Sequence, residues 1–434
     1  MRRNGYHYFD EKAVRFVEME KERHPRWVTD LIRDALADTP VVVVNGARQV
    51  GKSTLVRGLD YPGTVEIVGF DDAAVRMAAR RDPRGFLDRG VDTLVIDEAQ
   101  LEPTIFRAIK AEVDRDRRPG RFVLTGSSRL LAAPDMADSL VGRVDIIELG
   151  PFTQGELTGQ PDQFVDTVFH DPASLVRSTA MTRSSVIESV CRGGFPDVVE
   201  RTTQRRRRWF DNYVSTTVEK VVREVAELER LAEIPQLLRL CAARTSSELN
   251  VAELSNLLGI PARTGSAYVA RLSTSFLVHT VPAWSTNLSS KVIRKPKLSV
   301  VDSGLAAHLL GTNPEALRRD TNMLGPLLET FVGNEVRRQI TWSETTPSLW
   351  HFRDRDGAEV DLILEAPDGG IVGIEVKATS SPTRKDLKGL QFLADRLGDR
   401  FRFGVLFCLA PEALKIGERL AVLPVDRLWK AATG

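Results

Sequence analysis

The sequence predicts an α/β protein whose first domain is a parallel sheet in three layers, and three observations carry that expectation. A β-branched run, Val41–Val44, opens straight into a Gly-rich turn and a helix start in VVVVNGARQVGKSTLVRGL. An apolar run without polar alternation is the pattern of a strand buried on both faces. Further runs of the same kind follow at Thr64–Val68, Thr93–Ile96, Phe122–Leu124 and Val144–Leu149, with helix-like stretches between most of them. Strands alternating with helices imply a parallel sheet with helical layers on either side.

The chain has 434 residues, so two to four domains are expected. Apolar residues make up 42% and charged residues 27%, an ordinary globular balance, and the net charge is only +1. No global field marks a nucleic-acid or membrane partner, and any such surface must be local. Three scattered cysteines without a CxxC pair argue against a disulfide framework or a Cys-rich zinc site. The basic N-terminus lacks the apolar stretch of a signal peptide, and no run is long enough to span a bilayer. A cytoplasmic protein is expected.

Residues 1–38 read as a helical segment and 39–150 as the sheet domain. Helix patterns dominate 151–230, a lid or linker. In 231–300, EIPQLLRLCAAR, VAELSNLLGI and PARTGSAYVARLSTSFL precede a hairpin pattern, which together suggest a winged helix. Residues 301–434 return to mixed α/β.

The segment Gly46-Ala47-Arg48-Gln49-Val50-Gly51-Lys52-Ser53 fits G-x-x-x-x-G-K-[ST] between a buried strand and a helix, which defines a P-loop NTPase core. The glycines permit close approach and backbone conformations that turn successive N–H groups toward phosphate oxygens. Gly46 to Ser53, with Thr54, are therefore the expected nucleotide contacts. Lys52 should reach the β- and γ-phosphates of ATP, and the Ser53 hydroxyl should ligate Mg²⁺. In LVIDE, Asp97 and Glu98 end a strand at the edge where open α/β sheets bind ligands. Asp97 is expected to hold Mg²⁺ through water and Glu98 to polarise the attacking water. Thr125 or Ser127, in LTGSS, is a candidate γ-phosphate sensor, or an ordinary turn residue. Arg143 is a candidate arginine finger acting in trans, or a plain surface arginine.

These motifs resemble a known family. GARQVGKSTL, LVIDEAQ, LTGSS, a GR…PF-x-x-x-E stretch, RGGFPDVV, KLSVVDSGL and EVDLIL…IEVKAT occur in this order along almost the whole chain. The set resembles bacterial and archaeal AAA+-type ATPases carrying a C-terminal domain of unknown function related to restriction endonucleases. The resemblance implies an ATPase core, a winged-helix middle and a nuclease-like end.

In that last part, Asp361 is followed by Glu375-Val376-Lys377 on a second apolar strand, the D…E-x-K pattern of a restriction-endonuclease-like core. Asp361 and Glu375 on adjacent strands can share a Mg²⁺, and Lys377 projects from the same face to orient water or stabilise the phosphate. Glu335, on the preceding helix, matches a further acidic residue. A competent nuclease and a retired one kept for binding or assembly are both open.

Arg263 and Arg271 on the proposed recognition helix, with Thr264, Ser266 and Tyr268, are candidate DNA contacts. Lys291, Arg294, Lys295 and Lys297 on the presumed wing are four cations in seven residues. Arg205–Arg208 adds another basic cluster, or a solvated helix face. The expected partners are ATP, DNA, a further copy of the chain in a ring or dimer, and no membrane. The expected function is a Mg²⁺-dependent ATPase coupled to DNA binding and to cleavage if the C-terminal site is competent. The alternative is a nucleotide-controlled switch or scaffold that binds a protein partner, its nuclease-like domain inert.

Overall fold

The valine run becomes β1 (Val41–Asn45), with all five residues buried. Alternation along the strand sends Val41 and Val43 into one apolar cluster and Val42 and Val44 into another. The chain is described from a computed structural model covering residues 24–129, 140–223, 233–285, 295–354 and 357–430. Four further strands, β2 (Val65–Gly69), β3 (Thr93–Asp97), β4 (Phe122–Gly126) and β5 (Val144–Glu148), pair in parallel with β1 or one another in the order β2-β3-β4-β1-β5. The parallel pairing brings every strand's C-terminal end to one edge. Helix Thr104–Arg115 covers one face with Ile105, Phe106, Ile109 and Val113. Helix Val28–Asp38 covers the other with Val28, Ile32, Ala35 and Leu36, a helical stripe of apolar residues. Residues 1–23, part of the segment expected to be helical, lie outside the described residues.

Past the sheet, Thr153 and Glu156 close a capping box on helix Gln154–Thr158, as T-x-x-E permits. Helices Arg183–Arg192 and Thr203–Arg223 follow. The middle region then runs helix Glu233–Ala243, β6 (Ser247–Glu248), helix Val251–Leu258, helix Ala262–Thr274, β7 (Val278–Val281) and β8 (Lys297–Val300). Gly259, at φ +66°, takes the left-handed position that ends the third of these elements. The three strands form an antiparallel sheet in the order β6-β8-β7.

The C-terminal region is a mixed six-stranded sheet in the order β13-β14-β12-β11-β10-β9: β9 (Ser348–Arg353), β10 (Glu359–Glu365), β11 (Ile371–Lys377), β12 (Phe401–Cys408), β13 (Leu414–Ile416) and β14 (Leu420–Pro424). Helix Leu324–Trp342 and helix Lys388–Leu397 pack on different apolar clusters of this sheet. The β7–β8 hairpin is docked onto its edge. Ala283 bridges His351 in parallel, the Trp284 N–H donates to the His351 carbonyl at 2.6 Å, and Trp284 is buried in the C-terminal core. A single apolar cluster runs from helix Val28–Asp38 through the middle helices to β11, β12 and Trp429.

Candidate functional site

The P-loop leaves β1 at the C-terminal edge of the sheet, and its backbone explains its glycines. A Cβ on Gly46 would stand 2.1 Å from the Leu149 carbonyl oxygen. Gly51 sits at φ +94° and Gln49 at φ +61°, so the loop alternates hand as an anion-binding nest does. The Lys52 ammonium is buried and donates to the carbonyls of Gly46 at 3.0 Å and Ala47 at 2.8 Å. Ser53 Oγ donates to Asp97 Oδ1 at 3.0 Å. Thr125 Oγ donates to the same oxygen and also accepts the Glu98 N–H at 3.0 Å. Ser127 Oγ and Gln100 Nε2 both donate to Glu98 Oε2, the former at 2.8 Å. Glu98 itself is left-handed at φ +56°, a conformation a non-glycine residue holds only where its surroundings impose it.

Lys52, Ser53, Asp97, Glu98, Thr125 and Ser127 thus converge from the loop and the ends of two strands. These residues fit a nucleoside triphosphate with Mg²⁺. The loop is a cradle that a Cβ at Gly46 would fill, a hydroxyl and a carboxylate stand at hydrogen-bond distance from each other, and Asn45 Oδ1, buried one residue before the loop, has no hydrogen-bond partner. Ser53 and Asp97 would hold the metal, and Lys52 and the loop N–H groups the phosphates.

Arg143, expected to act on the nucleotide of a neighbouring copy, stands away from its own chain's P-loop. It precedes β5, at the sheet edge opposite the P-loop, and is ion-paired with Asp114 at 2.5 Å.

The sequence motifs beyond the P-loop form the junction behind it. Gly194 donates to Asp302 Oδ2 at 2.8 Å, and Phe152 donates to the Gly194 carbonyl at 2.7 Å. Asp302 also caps helix Ser303–Leu309, and burial raises its pKa. Arg338 donates to the Phe152 and Val301 carbonyls. Pro196 of the same loop packs beside Gly51. Two residues past Ser127, the Arg129 N–H donates to the Thr274 carbonyl at 3.0 Å, joining the end of β4 to the end of helix Ala262–Thr274.

The second carboxylate site lies on β10 and β11. One extra residue in β10 makes a bulge against β9 between Val360 and Ile363, where Asp361 sits. Asp361 Oδ1 accepts from Lys297 Nζ at 3.0 Å and Oδ2 from the Val376 N–H at 3.0 Å. Glu375 Oε1 pairs with Lys377, and Oε2 accepts the Asp361 N–H at 3.3 Å. Burial raises the Glu375 pKa to about 8, with the Asp361 carboxylate adding to it.

Two expectations are corrected here. Lys297 is no exposed wing cation: it is 4% exposed and ion-paired with Glu329 at 2.8 Å, Asp361 at 3.0 Å and Glu359 at 3.3 Å. Burial alone would lower its pKa, but those carboxylates outweigh it and hold the ammonium charged. Glu335 faces the junction instead of the acidic cluster. It accepts the Gln154 N–H at 3.0 Å and stands 3.4 Å from Arg338, and burial raises its pKa to about 8. The helix residue at the cluster is Glu329, six positions earlier, which sequence reasoning missed. Among the described residues no group of three or more His, Cys, Asp or Glu side chains is arranged to hold a metal ion.

Of the candidate DNA contacts, Arg263, Arg271 and Lys295 are exposed, while Tyr268 is buried in the core of the middle region. Lys291 and Arg294 lie outside the described residues. In the Arg205–Arg208 run, Arg206 is half-buried, and Trp209 and Phe210 after it are core residues.

The five-stranded parallel sheet with its glycine loop and flanking helices is an α/β P-loop NTPase fold. Residues 38–158 match the family profile described as an AAA domain. Residues 183–316 and 324–428 match two others, each described as a domain of unknown function. Uncharacterized proteins of Mycobacterium bovis and Mycobacterium tuberculosis are each 28% identical over 359 residues, covering 81% of this chain and 73% of theirs. A Walker-type ATPase of Pyrococcus abyssi superposes with a TM-score of 0.39 at 15% identity, over 65% of this chain and 94% of its own. A DNA polymerase III gamma subunit-related protein of Thermotoga maritima gives 0.20 at 9% identity, over 57% and 98%. Scores this low add nothing to the fold, which rests on the sheet and the AAA profile. Among the described residues no helix is long and apolar enough to cross a membrane.

Proposed function

We propose that the chain is a Mg²⁺-dependent ATP hydrolase whose nucleotide state is passed to the helix–turn–helix of the middle region, and that DNA is what this region meets. The observation that carries the hydrolase reading is the convergence of Lys52, Ser53, Asp97 and Glu98 around one loop. On ATP binding, Lys52 exchanges two loop carbonyls for phosphate oxygens. Ser53 and Asp97 would hold Mg²⁺, which would supply positive charge beside the phosphates. Glu98, released from Ser127 and Gln100, orients the attacking water and takes its proton, an effect worth roughly 10²–10⁴ in rate. Thr125 fixes Asp97 and the Glu98 backbone together. Arg143, ion-paired with Asp114 within the chain, would act only on the nucleotide of a neighbouring copy, and the residues named above belong to one P-loop site.

The element order helix, strand, helix, helix, hairpin supports reading the middle region as a winged helix, with Arg263 and Arg271 exposed on its third helix for phosphate contact. The Arg129–Thr274 contact gives β4 a direct handle on that helix. A second reading, a nucleotide-controlled scaffold for a protein partner, is favoured by one observation: the hairpin that would be the wing is docked on the C-terminal sheet. Hydrolysis measured with Mg²⁺, with and without duplex DNA, at low salt and at ~200 mM, where phosphate-driven binding weakens, separates the two. Salt-sensitive stimulation is expected. Hydrolysis indifferent to DNA at both salts favours the scaffold.

A further inference from the structure

The β10–β11 carboxylates suit the metal site of a nuclease by residue type and spacing, but their geometry does not fit one. Both oxygens of Asp361 and both of Glu375 already have protein partners: Lys297, the Val376 N–H, Lys377 and the Asp361 N–H. Mg²⁺ asks for oxygens near 2.1 Å in an octahedron that usually keeps several waters. Here the point on which Glu329, Glu359 and Asp361 converge is filled by a single ammonium, at 2.8, 3.3 and 3.0 Å.

We propose that Lys297 is the resident cation of this site: carried in on β8 of the middle region, it takes the place a divalent metal would need and latches that strand to the C-terminal sheet. Three features support the assignment. The lysine is 4% exposed, so its position is set by packing on all sides and not by a floppy stem. Its partners come from two different elements, Glu329 from helix Leu324–Trp342 and Glu359 and Asp361 from β10, so the ammonium cross-links helix, sheet and hairpin at once. The bulge in β10 lies at Asp361, which meets β8 through Lys297, while β8 is buried along its length and pairs with β7, whose end is docked through the Trp284–His351 contact.

Charge does not by itself exclude a metal. Four acidic side chains, Glu329, Glu359, Asp361 and Glu375, stand against Lys297 and Lys377, and once pH passes about 8 the acids Glu329 and Glu375 also ionise. The exclusion is positional, since a divalent ion at the convergence point would meet an ammonium already there, while Asp361 Oδ2 and Glu375 Oε2 are turned to backbone N–H groups and Glu375 Oε1 to Lys377. Removing the ammonium while keeping the carboxylates should therefore create a metal site that the natural chain lacks.

The test is Mn²⁺ uptake by the full, nucleotide-free chain, read as loss of the free-ion electron paramagnetic resonance signal, with Asp361→Asn used to tell this site from the P-loop. Wild type and Asp361→Asn are expected to take up the same amount. Lys297→Met is expected to bind one further Mn²⁺ per chain, lost again in Lys297→Met/Asp361→Asn, while Lys297→Arg, which keeps the cation, gains none. A Mn²⁺ site in wild type that Asp361→Asn abolishes overturns the proposal, as does a folded Lys297→Met that gains no site. Should Lys297→Met fail to fold, the comparison of wild type with Asp361→Asn still decides whether the site takes a metal.

Discussion

Among the described residues two lysines are deeply buried with equal exposure, 4% each, and they differ in what faces the ammonium. Lys52 rests on two backbone carbonyls of its own loop. Lys297 rests on three carboxylates from other elements. Carbonyls are neutral acceptors that water can satisfy when the lysine leaves, so Lys52 can be recruited by a polyanion at little cost. Carboxylates in a buried cluster need their cation, because each left without one is a desolvated charge. Lys52 stays within its own loop, and Lys297 joins β8, β10 and helix Leu324–Trp342.

The largest effect that can break this contrast is on nucleotide affinity. Lys52→Ala should weaken ATP binding roughly a hundredfold or more, through loss of charge-assisted hydrogen bonds to phosphate, measured with a fluorescent nucleotide. Lys297→Ala, provided it folds, should leave that affinity unchanged. Equal losses in both would mean that the C-terminal cluster reports directly to the P-loop.

Stability should show the reverse order. Lys297→Met leaves buried carboxylates without their partner, and a loss of about 3–5 kcal/mol in urea unfolding is expected. Lys52→Met gives up hydrogen bonds to carbonyls at the mouth of the loop, and about 1 kcal/mol or less is expected. A stable Lys297→Met would remove the latch from the account.

The smallest expected effect concerns pH. Glu335 is held near 8, well above its usual 4.5, chiefly by burial and despite Arg338. Its proton is therefore kept by the folded chain and released by the unfolded one across that interval. Its contribution to stability is complete below the unfolded value and lost as pH rises through about 8. Burial raises Glu329 and Glu375 to about 8 as well, so the native chain should become less stable between pH 5 and 8. Glu335→Gln should make that slope shallower without abolishing it. An unchanged melting-temperature profile in Glu335→Gln would contradict the assignment.

How much of this was readable in the sequence divides along the same line. The P-loop, the paired acids of LVIDE and the buried strands were legible because each is local: a few consecutive residues fix a turn, a strand end or a face. The roles of Lys297 and Glu335 depended on which elements pack together. RKPKL reads as a basic wing until β8 is seen docked against β10. Glu335 and Glu329 lie on the same helix, and only the helix's rotation against the sheet tells which one meets Asp361. The junction residues Gly194 and Asp302 stand in the RGGFPDVV and KLSVVDSGL motifs, but no local pattern says that they bind each other or that Arg338 joins them.

In the proposed reaction the loop with Lys52 is the working site and Glu98 activates water in it. The most direct measurement sets ATP binding and ATP hydrolysis side by side for wild type and Glu98→Gln with Mg²⁺. The account predicts binding within about threefold of wild type and hydrolysis reduced by roughly a hundredfold or more. Hydrolysis by Glu98→Gln at the wild-type rate would contradict it.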